Sequence, residues 1–386
     1  MGLTQDLNKI FDHCYESIDD LVQKRQQPIN YDWLIASNTG TFYPDYFTVD
    51  TVGRTFFERS FNRLCSNRFG QFSMSYKVIA RFVHLFYGLP FFNNDSHCDW
   101  LLSRLKSMPN RMTKWSLVEF FLFMERWMAH VFSEELMMFK DVKADLNASA
   151  LAIILTIDID DINHAALLGS LSSACYSNWF DIVVPDLNDR KQQILNRLHS
   201  FVSIQDVLPV DPQILTYLTE ESRNILYEVD NSGEIIFDLV LITKLLRMGH
   251  HITIVGKYSP ILNDATVSDI LDLIKSNTCF TFLKHQLEIG NLMVIAANDF
   301  PMVGKYLPLV TDEYQNHFQA CDLVWLKGQA NFQTMPVINH GLFRHSVRYH
   351  KPIVLNFIAK TPIVNYCLSQ SSVGKVTLGD PLICLV

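Results

Sequence analysis

The chain has no apolar run of 18 residues, no Cys-x-x-Cys pair and no surplus of basic charge, and each absence removes a class of function. Without such a run no helix can span a membrane. The eight cysteines, at 14, 65, 98, 175, 279, 321, 367 and 384, are too scattered for a thiolate zinc site or a disulfide framework, and suit free thiols in a reducing compartment. A formal charge of −8 withholds the basic surface with which a protein displaces counterions from nucleic acid. The opening MGLTQDLNKIFDHCYESIDD carries acids in its first turns and lacks the apolar segment of a secretory signal. Gly2 is followed by Leu3-Thr4-Gln5-Asp6, without the Ser or Thr of a myristoylation start. A cytoplasmic location is the expectation; export without a cleavable signal is invisible to such a reading.

What is present is apolar material: 48% hydrophobic and 12% aromatic residues, with 27 Phe, in 386 residues. That composition makes a folded globular protein with one large core or two ordinary ones. The rhythm changes near residue 200. Before it, Lys114 to Phe132 places Trp115, Val118, Phe121, Leu122 and Met128 near one helical stripe, and 77–87, 99–107 and 191–204 also read as helices. After about 220, strand-length apolar runs stand at 224–229, 252–256, 292–297, 322–327 and 352–357. Helical segments 234–248, 265–275 and 309–320 separate the first four. Apolar strands alternating with helices imply a mostly parallel sheet covered on both faces. The expected fold class is α/β: a mainly helical region over 1–200 packed on a Rossmann-like α/β/α sandwich over 201–386.

The helix from Glu234 is the best delimited. Ile235 to Met248 is apolar nearly all round, Glu234 and Asp238 complement the start of its dipole, Lys244 and Arg247 its end, and Gly249 supplies the C′ position.

Open parallel sheets bind ligands beyond the carboxyl ends of their strands. Asp230-Asn231-Ser232-Gly233 follows the first run, and Asn263-Asp264 lies in the loop after the second. Lys327-Gly328-Gln329-Ala330-Asn331 closes the fourth run and Lys360 follows the fifth. Asp230, Asn231 and Asp264 offer oxygen donors, which suit a hard divalent cation such as Mg²⁺ or Mn²⁺. Lys327 and Lys360 balance phosphate charge, and the small residues Ser232, Gly233 and Gly328 let backbone N–H groups approach an anion. Taken alone, Asp-Asn-Ser-Gly is equally a plain turn, and Asn263-Asp264 a helix cap.

VDNSGEIIFDLVLITKLL, SPILNDATVSDIL and DLVWLKGQANFQTM resemble, in order and spacing, the damage-control phosphatase family, also called the ARMT-like (DUF89) domain family. The resemblance implies a metal-dependent phosphatase of small phosphorylated metabolites using Mn²⁺, Mg²⁺, Co²⁺ or Ni²⁺. It implies Asp230, Asn231 and Asp264 as metal ligands and the stretch Lys327 to Asn331, with Gly328 and Gln329, as the phosphate-holding loop. Lys360 matches the lysine of the family's C-terminal motif, and Trp115 to Glu119 resembles its Trp-x-x-x-Glu helix, which makes Glu119 a substrate-binding candidate. Departures accompany these matches. Phe121, Phe123 and Met124 replace expected tyrosines and an arginine, Phe357-Ile358 replaces Arg-Thr, and Asp158 and Asp161 stand roughly where a Gly-Asn-x-x-Asp element belongs.

Competing readings are distinct in chemistry. LAIILTIDIDD (151–161) superficially resembles the nucleophile strand of haloacid-dehalogenase-type phosphatases, without matching downstream motifs. Asp95 to Asp99 mixes ligand types but reads as a polar helix start, and His250-His251 as a solvated turn. Carboxyl methyl transfer from S-adenosylmethionine, attributed to one branch of the family, would call for a nucleoside loop such as Gly-x-Gly-x-x-Gly, and none follows the first strand. A non-catalytic interaction protein that kept the fold is the third reading, with the partner unspecified.

Overall fold

A computed structural model describes residues 2–25, 99–101, 103–104, 115, 117–131, 138–181, 187–335, 351–361, 364–365, 368 and 373–386. The described residues up to 138 form one unit and those from 139 onward another. That division lies upstream of the change of rhythm near 200.

The first unit holds helices α1 (Gly2–Arg25) and α2 (Leu117–Val131). Their apolar stripes meet through aromatic rings: Phe11 stands edge-on to Phe123 at 5.2 Å and to Trp127 at 6.0 Å. Val118, Leu122 and Trp115 are buried as the stripe requires. The helix expected over 77–87 lies outside the described residues.

In the second unit, helices α3 (Met138–Ile154, apart from its first residue), α4 (His164–Tyr176), α5 (Leu187–Val202) and α6 (Pro212–Glu220) precede the sheet. The sheet contains β1 (Asn224–Glu228), β2 (His251–Gly256), β3 (Leu292–Ala296), β4 (Leu323–Lys327), β5 (Ile353–Ile358) and β6 (Pro381–Leu385). Its order is β3-β2-β1-β4-β5-β6, with β1 to β5 parallel and β6 antiparallel to β5. Helices α7 (Glu234–Arg247), α8 (Val267–Ser276), α9 (Thr281–Glu288) and α10 (Asp312–Ala320) fill the connections, and α11 (Gly328–Gln333) follows β4. The five expected strands and their intervening helices are present; β6 and α9 are additional.

Sheet growth reverses between β1 and β4, so right-handed crossovers place α7 and α8 on one face and α10 on the other. Strand alternation agrees. Ile225 and Tyr227 of β1 join the core that contains α7 and α8, whereas Glu228 turns the other way and accepts a hydrogen bond from Tyr314 of α10. Helix α7 is buried along Glu234 to Leu246, and Gly249 takes the positive φ (94°) expected of a C′ glycine. Two readings are corrected. Residues 151–154 end helix α3 and no strand runs into Asp158, so the dehalogenase-type nucleophile strand is absent. His250 is buried, its Nδ1 accepting from Arg223 N–H at 3.1 Å and its Nε2 3.0 Å from Leu218 O, so it is a structural joint and not a solvated turn.

Candidate active site

The strand order reverses between β1 and β4, and the carboxyl rim at such a reversal is where open α/β sheets bind ligands. Asp230 to Gly233 leave β1 on one side, and Gly328 leaves β4 on the other. Gly328 has φ 71°, and a Cβ there would stand 2.0 Å from Asp230 Oδ2, so only glycine lets the two turns close. Gly233 (φ 79°) caps α7, and Asn147 of α3 accepts its backbone N–H at 2.6 Å.

The loop after β2 is sewn to this turn by backbone bonds. Ala265 N–H donates to Asp230 O at 2.8 Å, Ser232 N–H to Asn263 O at 2.7 Å, and Asn231 forms a β-bridge with Asp264. Leu262, within this loop, takes φ 41°, a left-handed conformation uncommon for a residue other than glycine. The capping box of Thr266 and Asp269 then starts α8, with Lys143 of α3 bonding Asp269 at 2.8 Å. Asp230, Asn231 and Asp264 therefore share one small, buried volume.

Electrostatics follow from this crowding. Burial pushes the Asp230 carboxyl well above the usual carboxylate range, and the charges of Glu234 and Asp264 push it further, against Lys257 and Lys360. Asp264 rises to about 6, again by burial, with Lys257 opposing and Asp181 adding to the rise. Asp264 Oδ2 is buried without a hydrogen-bond partner, and the Ser232 hydroxyl is too. Its nearest cation, Lys257 Nζ, is 3.8 Å away. Asp230 Oδ2 is held by two amide donors, Asn178 Nδ2 at 2.9 Å and Asn231 Nδ2 at 2.8 Å.

The rim lysines divide into distinct environments. Lys327 is fully buried, with Nζ 2.7 Å from Glu234 Oε1 and 3.3 Å from Asp238 Oδ1 and a further bond to Ala174 O. Burial would lower its pKa, but Asp238 and Glu234 win and raise it. Its charge is engaged by carboxylates beneath the rim, whereas the sequence reading had it facing a phosphate. Lys360 bonds Asp181 Oδ2 at 3.1 Å and Asn178 O, and its N–H donates to Gln329 Oε1 at 3.2 Å. Lys257 donates to Asn331 Oδ1 at 3.2 Å. Asn331 in turn donates to Val229 O at 3.0 Å and Lys327 O at 2.8 Å, tying β1 to α11.

The expected residues Asp230, Asn231, Asp264, Gly328, Gln329, Asn331 and Lys360 all belong to this rim. Glu119 is buried on α2 of the first unit. Sequence reasoning missed Asn178 and Asp181. They keep Asn-x-x-Asp spacing in Ser177-Asn178-Trp179-Phe180-Asp181, and that spacing was the available signal. Asp158 and Asp161, which stood in for that element, cap a surface turn instead: Asp158 accepts from Asp160 N–H at 3.0 Å and Asp161 from Asn163 N–H at 2.9 Å.

Among the described residues no three His, Cys, Asp or Glu side chains cluster as a metal site; the set here is two carboxylates and an amide. Its chemistry nonetheless fits a hard cation. It is all oxygen, it includes a buried carboxylate oxygen without a hydrogen-bond partner, and burial lifts both of its acids above the usual carboxylate range against the pull of Lys257.

The model of the damage-control phosphatase ARMT1-like domain matches residues 93–355. A damage-control phosphatase of Pyrococcus horikoshii is 34% identical over 121 residues, 31% of this chain and 37% of that protein. A damage-control phosphatase of Archaeoglobus fulgidus is 27% identical over 114 residues, 30% of this chain and 35% of that protein. These matches span about a third of the relatives' length. The crystal structure of a DUF89 family protein from Pyrococcus horikoshii superposes with a TM-score of 0.56 at 21% identity, over 80% of this chain and 94% of that one, a likeness of fold. No helix among the described residues is long and apolar enough to cross a membrane.

Proposed function

The chain belongs to the damage-control phosphatase ARMT1-like domain family, and from that premise we propose that it is a metal-dependent phosphatase hydrolysing small phosphorylated metabolites at the carboxyl rim of its sheet. The observation that supports the reading is the backbone pairing that brings the Asp230–Asn231 turn and the Asp264 loop together, with Asp264 Oδ2 buried and without a hydrogen-bond partner. The names of the relatives support the same chemistry.

Asp230, Asn231 and Asp264 would hold the cation. When bound it supplies Lewis-acid polarisation of a phosphoryl oxygen and acidifies a water. The residues of the chain do the rest. Asn178 and Asn231 fix Asp230 Oδ2 in one orientation and leave its other oxygen for the site. The turn from Gly328 to Asn331, pressed against Asp230, positions the phosphate beside the acids. Lys360, whose charge already reaches Asp230, stabilises the negative charge that develops on the departing group. Lys327 acts from beneath, by neutralising Glu234, whose Oε2 receives Asn178 and Asn231.

The test is hydrolysis of a panel of sugar phosphates and phosphorylated cofactors with Mg²⁺, Mn²⁺, Co²⁺ and Ni²⁺, together with calorimetric metal binding. Metal uptake lost in Asp264→Ala, with turnover lost alongside, is the expected result. Turnover unaffected by that substitution, or no metal uptake by the parent chain, overturns the reading.

A further inference from the structure

Where β1 and β4 end, a buried lysine, acid and tyrosine meet on each face of the sheet. On the α7 face Lys327 meets Glu234 and Asp238, and Tyr227 O–H donates to Asp238 Oδ1 at 2.8 Å. On the α10 face Lys305, from the loop after β3, stands 2.5 Å from Glu228 Oε2, and Tyr314 O–H donates to Glu228 Oε1 at 2.7 Å. Lys305 and Glu228 are both fully buried, and the phosphatase reading gives them no role. A buried ion pair seldom beats an apolar pair of the same volume for stability, so the interest of this one lies in what it touches.

Lys305 touches the turn that the phosphatase reading assigns to phosphate. Helix α11 has six residues, too few to hold itself, so its contacts set its place. At its start Gly328 continues directly from β4. At its end the Lys305 ammonium donates to Asn331 O at 3.3 Å, among the carbonyls that a helix leaves without an internal partner. The Lys305 backbone N–H donates to Thr334 Oγ1 at 3.2 Å. Gly304 (φ 68°) lies against the same helix: a Cβ there would stand 2.6 Å from both Ala330 O and Thr334 Oγ1. Glu228 supplies the other end of the tie. It closes β1, next to Val229, whose carbonyl accepts Asn331 Nδ2 at 3.0 Å.

Building on the phosphatase reading, we propose that Lys305 is a positioning residue for phosphate: bonded to Asn331 and paired with Glu228, it holds the later half of α11 against the strand that carries Asp230. Its reach stops short of the metal ligands. Their loops are joined by Ala265 N–H to Asp230 O, Ser232 N–H to Asn263 O and the bridge between Asn231 and Asp264, and neither Lys305 nor Glu228 takes part. Gly328, which presses on Asp230, stays anchored by β4. Loosening the tie therefore moves the phosphate side of the site and spares the cation side.

The test compares the full chain with Lys305→Met and with Lys305→Met combined with Glu228→Gln. The double variant leaves neither charge buried alone and keeps an acceptor for Tyr314. Hydrogen exchange of the metal-free proteins reads the anchor: amides of Phe332 to Met335 should exchange about tenfold faster or more in both variants, the worth of one bond to a charged donor, with those of α8 unchanged. Calorimetry in the presence of Mn²⁺ should show inorganic phosphate bound about tenfold or more weakly. Affinity for Mn²⁺ alone should stay within about twofold of the parent, as for an independent site. Parental exchange or parental phosphate affinity in the double variant overturns the proposal. A loss of Mn²⁺ affinity as large as that of phosphate also overturns it, because a general structural role would move both. Those outcomes defeat the role of Lys305 while the parent still binds metal and phosphate; a parent that binds neither defeats the phosphatase reading, and the proposal with it.

Discussion

Gly328 presses its α-carbon against the Asp230 carboxylate: a Cβ on Gly328 would stand 2.0 Å from Oδ2 and 2.2 Å from Cγ. The turn after β4 and the turn after β1 thereby fix each other's position. Gly328→Ala adds that Cβ at a φ of 71°, so either the turn or the carboxylate must move. A displacement of this size costs on the order of 100-fold in kcat. Metal affinity should fall with it, while far-UV circular dichroism stays that of the parent. An alanine variant with parental kcat and metal affinity would show that the two turns do not constrain each other.

Asp264→Asn should separate stability from activity. Burial lifts the Asp264 carboxyl from 3.8 to about 6 in the folded chain. A folded-state pKa raised in an acid means the folded chain holds that proton more tightly than the unfolded one. The metal-free protein therefore loses stability as pH climbs from about 3.8 to about 6, and stays at the lower level above it. The neutral amide removes this loss. Thermal melts of the metal-free proteins at pH 7.5, an assay condition near neutrality, should show Asn above Asp, and melts with Mn²⁺ should reverse the order. Turnover should vanish. A variant less stable without metal would mean that the Asp264 carboxylate is already well compensated.

Legibility in the sequence followed the range of the forces involved. The strands β1 to β5 were readable from their continuous apolar runs, which a sheet buried on both faces demands at its centre, as in LVWLK and IVLNFI. Helix α7 was readable to within a residue, since dipole-matched charges and the C′ glycine are local devices. Strand β6 was not: PLICL opens on proline, pairs antiparallel at an edge and has no crossover helix to announce it. Asp230, Asn231 and Asp264 could be singled out because their loops carry turn chemistry that also reads as a donor set, and the fold brings those loops together. Asn178 and Asp181 escaped because they sit on a 3-10 turn after α4, roughly 50 residues before β1, and only tertiary folding brings them to the rim. The reading of Lys327 as a phosphate contact failed to anticipate Glu234 and Asp238. A charge on an apolar helix looks like a dipole match until the partner strand shows what lies opposite.

Asn178→Ala tests the amide that orients Asp230. Its Nδ2 serves both Asp230 Oδ2 and Glu234 Oε2, and its Oδ1 accepts Ile358 N–H at 3.2 Å. Without it one of the two donors to Asp230 is gone. Groups that orient metal ligands cost about 10–100-fold in metal affinity when removed. Titration of Mn²⁺ into Asn178→Ala should show a loss in that range, and Asn178→Asp, which adds a third acid without a donor, should not restore the orientation. Parental affinity in the alanine variant would leave Asn178 a purely structural joint.

Lys327→Met distinguishes a cation that neutralises carboxylates from one that contacts phosphate. Its ammonium is fully buried between Glu234 and Asp238, and Asp238 already sits at about 7, pushed up by burial and held down chiefly by Lys327. Deleting one partner of a buried ion pair costs about 3–5 kcal/mol, because the remaining charge stays buried. The pH dependence has a definite sign. With Lys327 gone the Asp238 carboxyl rises further, so the folded chain favours the protonated acid. The cost is then greatest above neutral pH and smallest near pH 5, where the acid is protonated in the folded state but ionised when unfolded. Lys327→Met combined with Asp238→Asn should recover part of the loss at alkaline pH. Denaturant unfolding of the three proteins across this range reads the difference directly. If Lys327→Met unfolds like the parent at alkaline pH but no longer binds inorganic phosphate, then Lys327 faces the substrate and the carboxylates beneath the rim need no counter-charge.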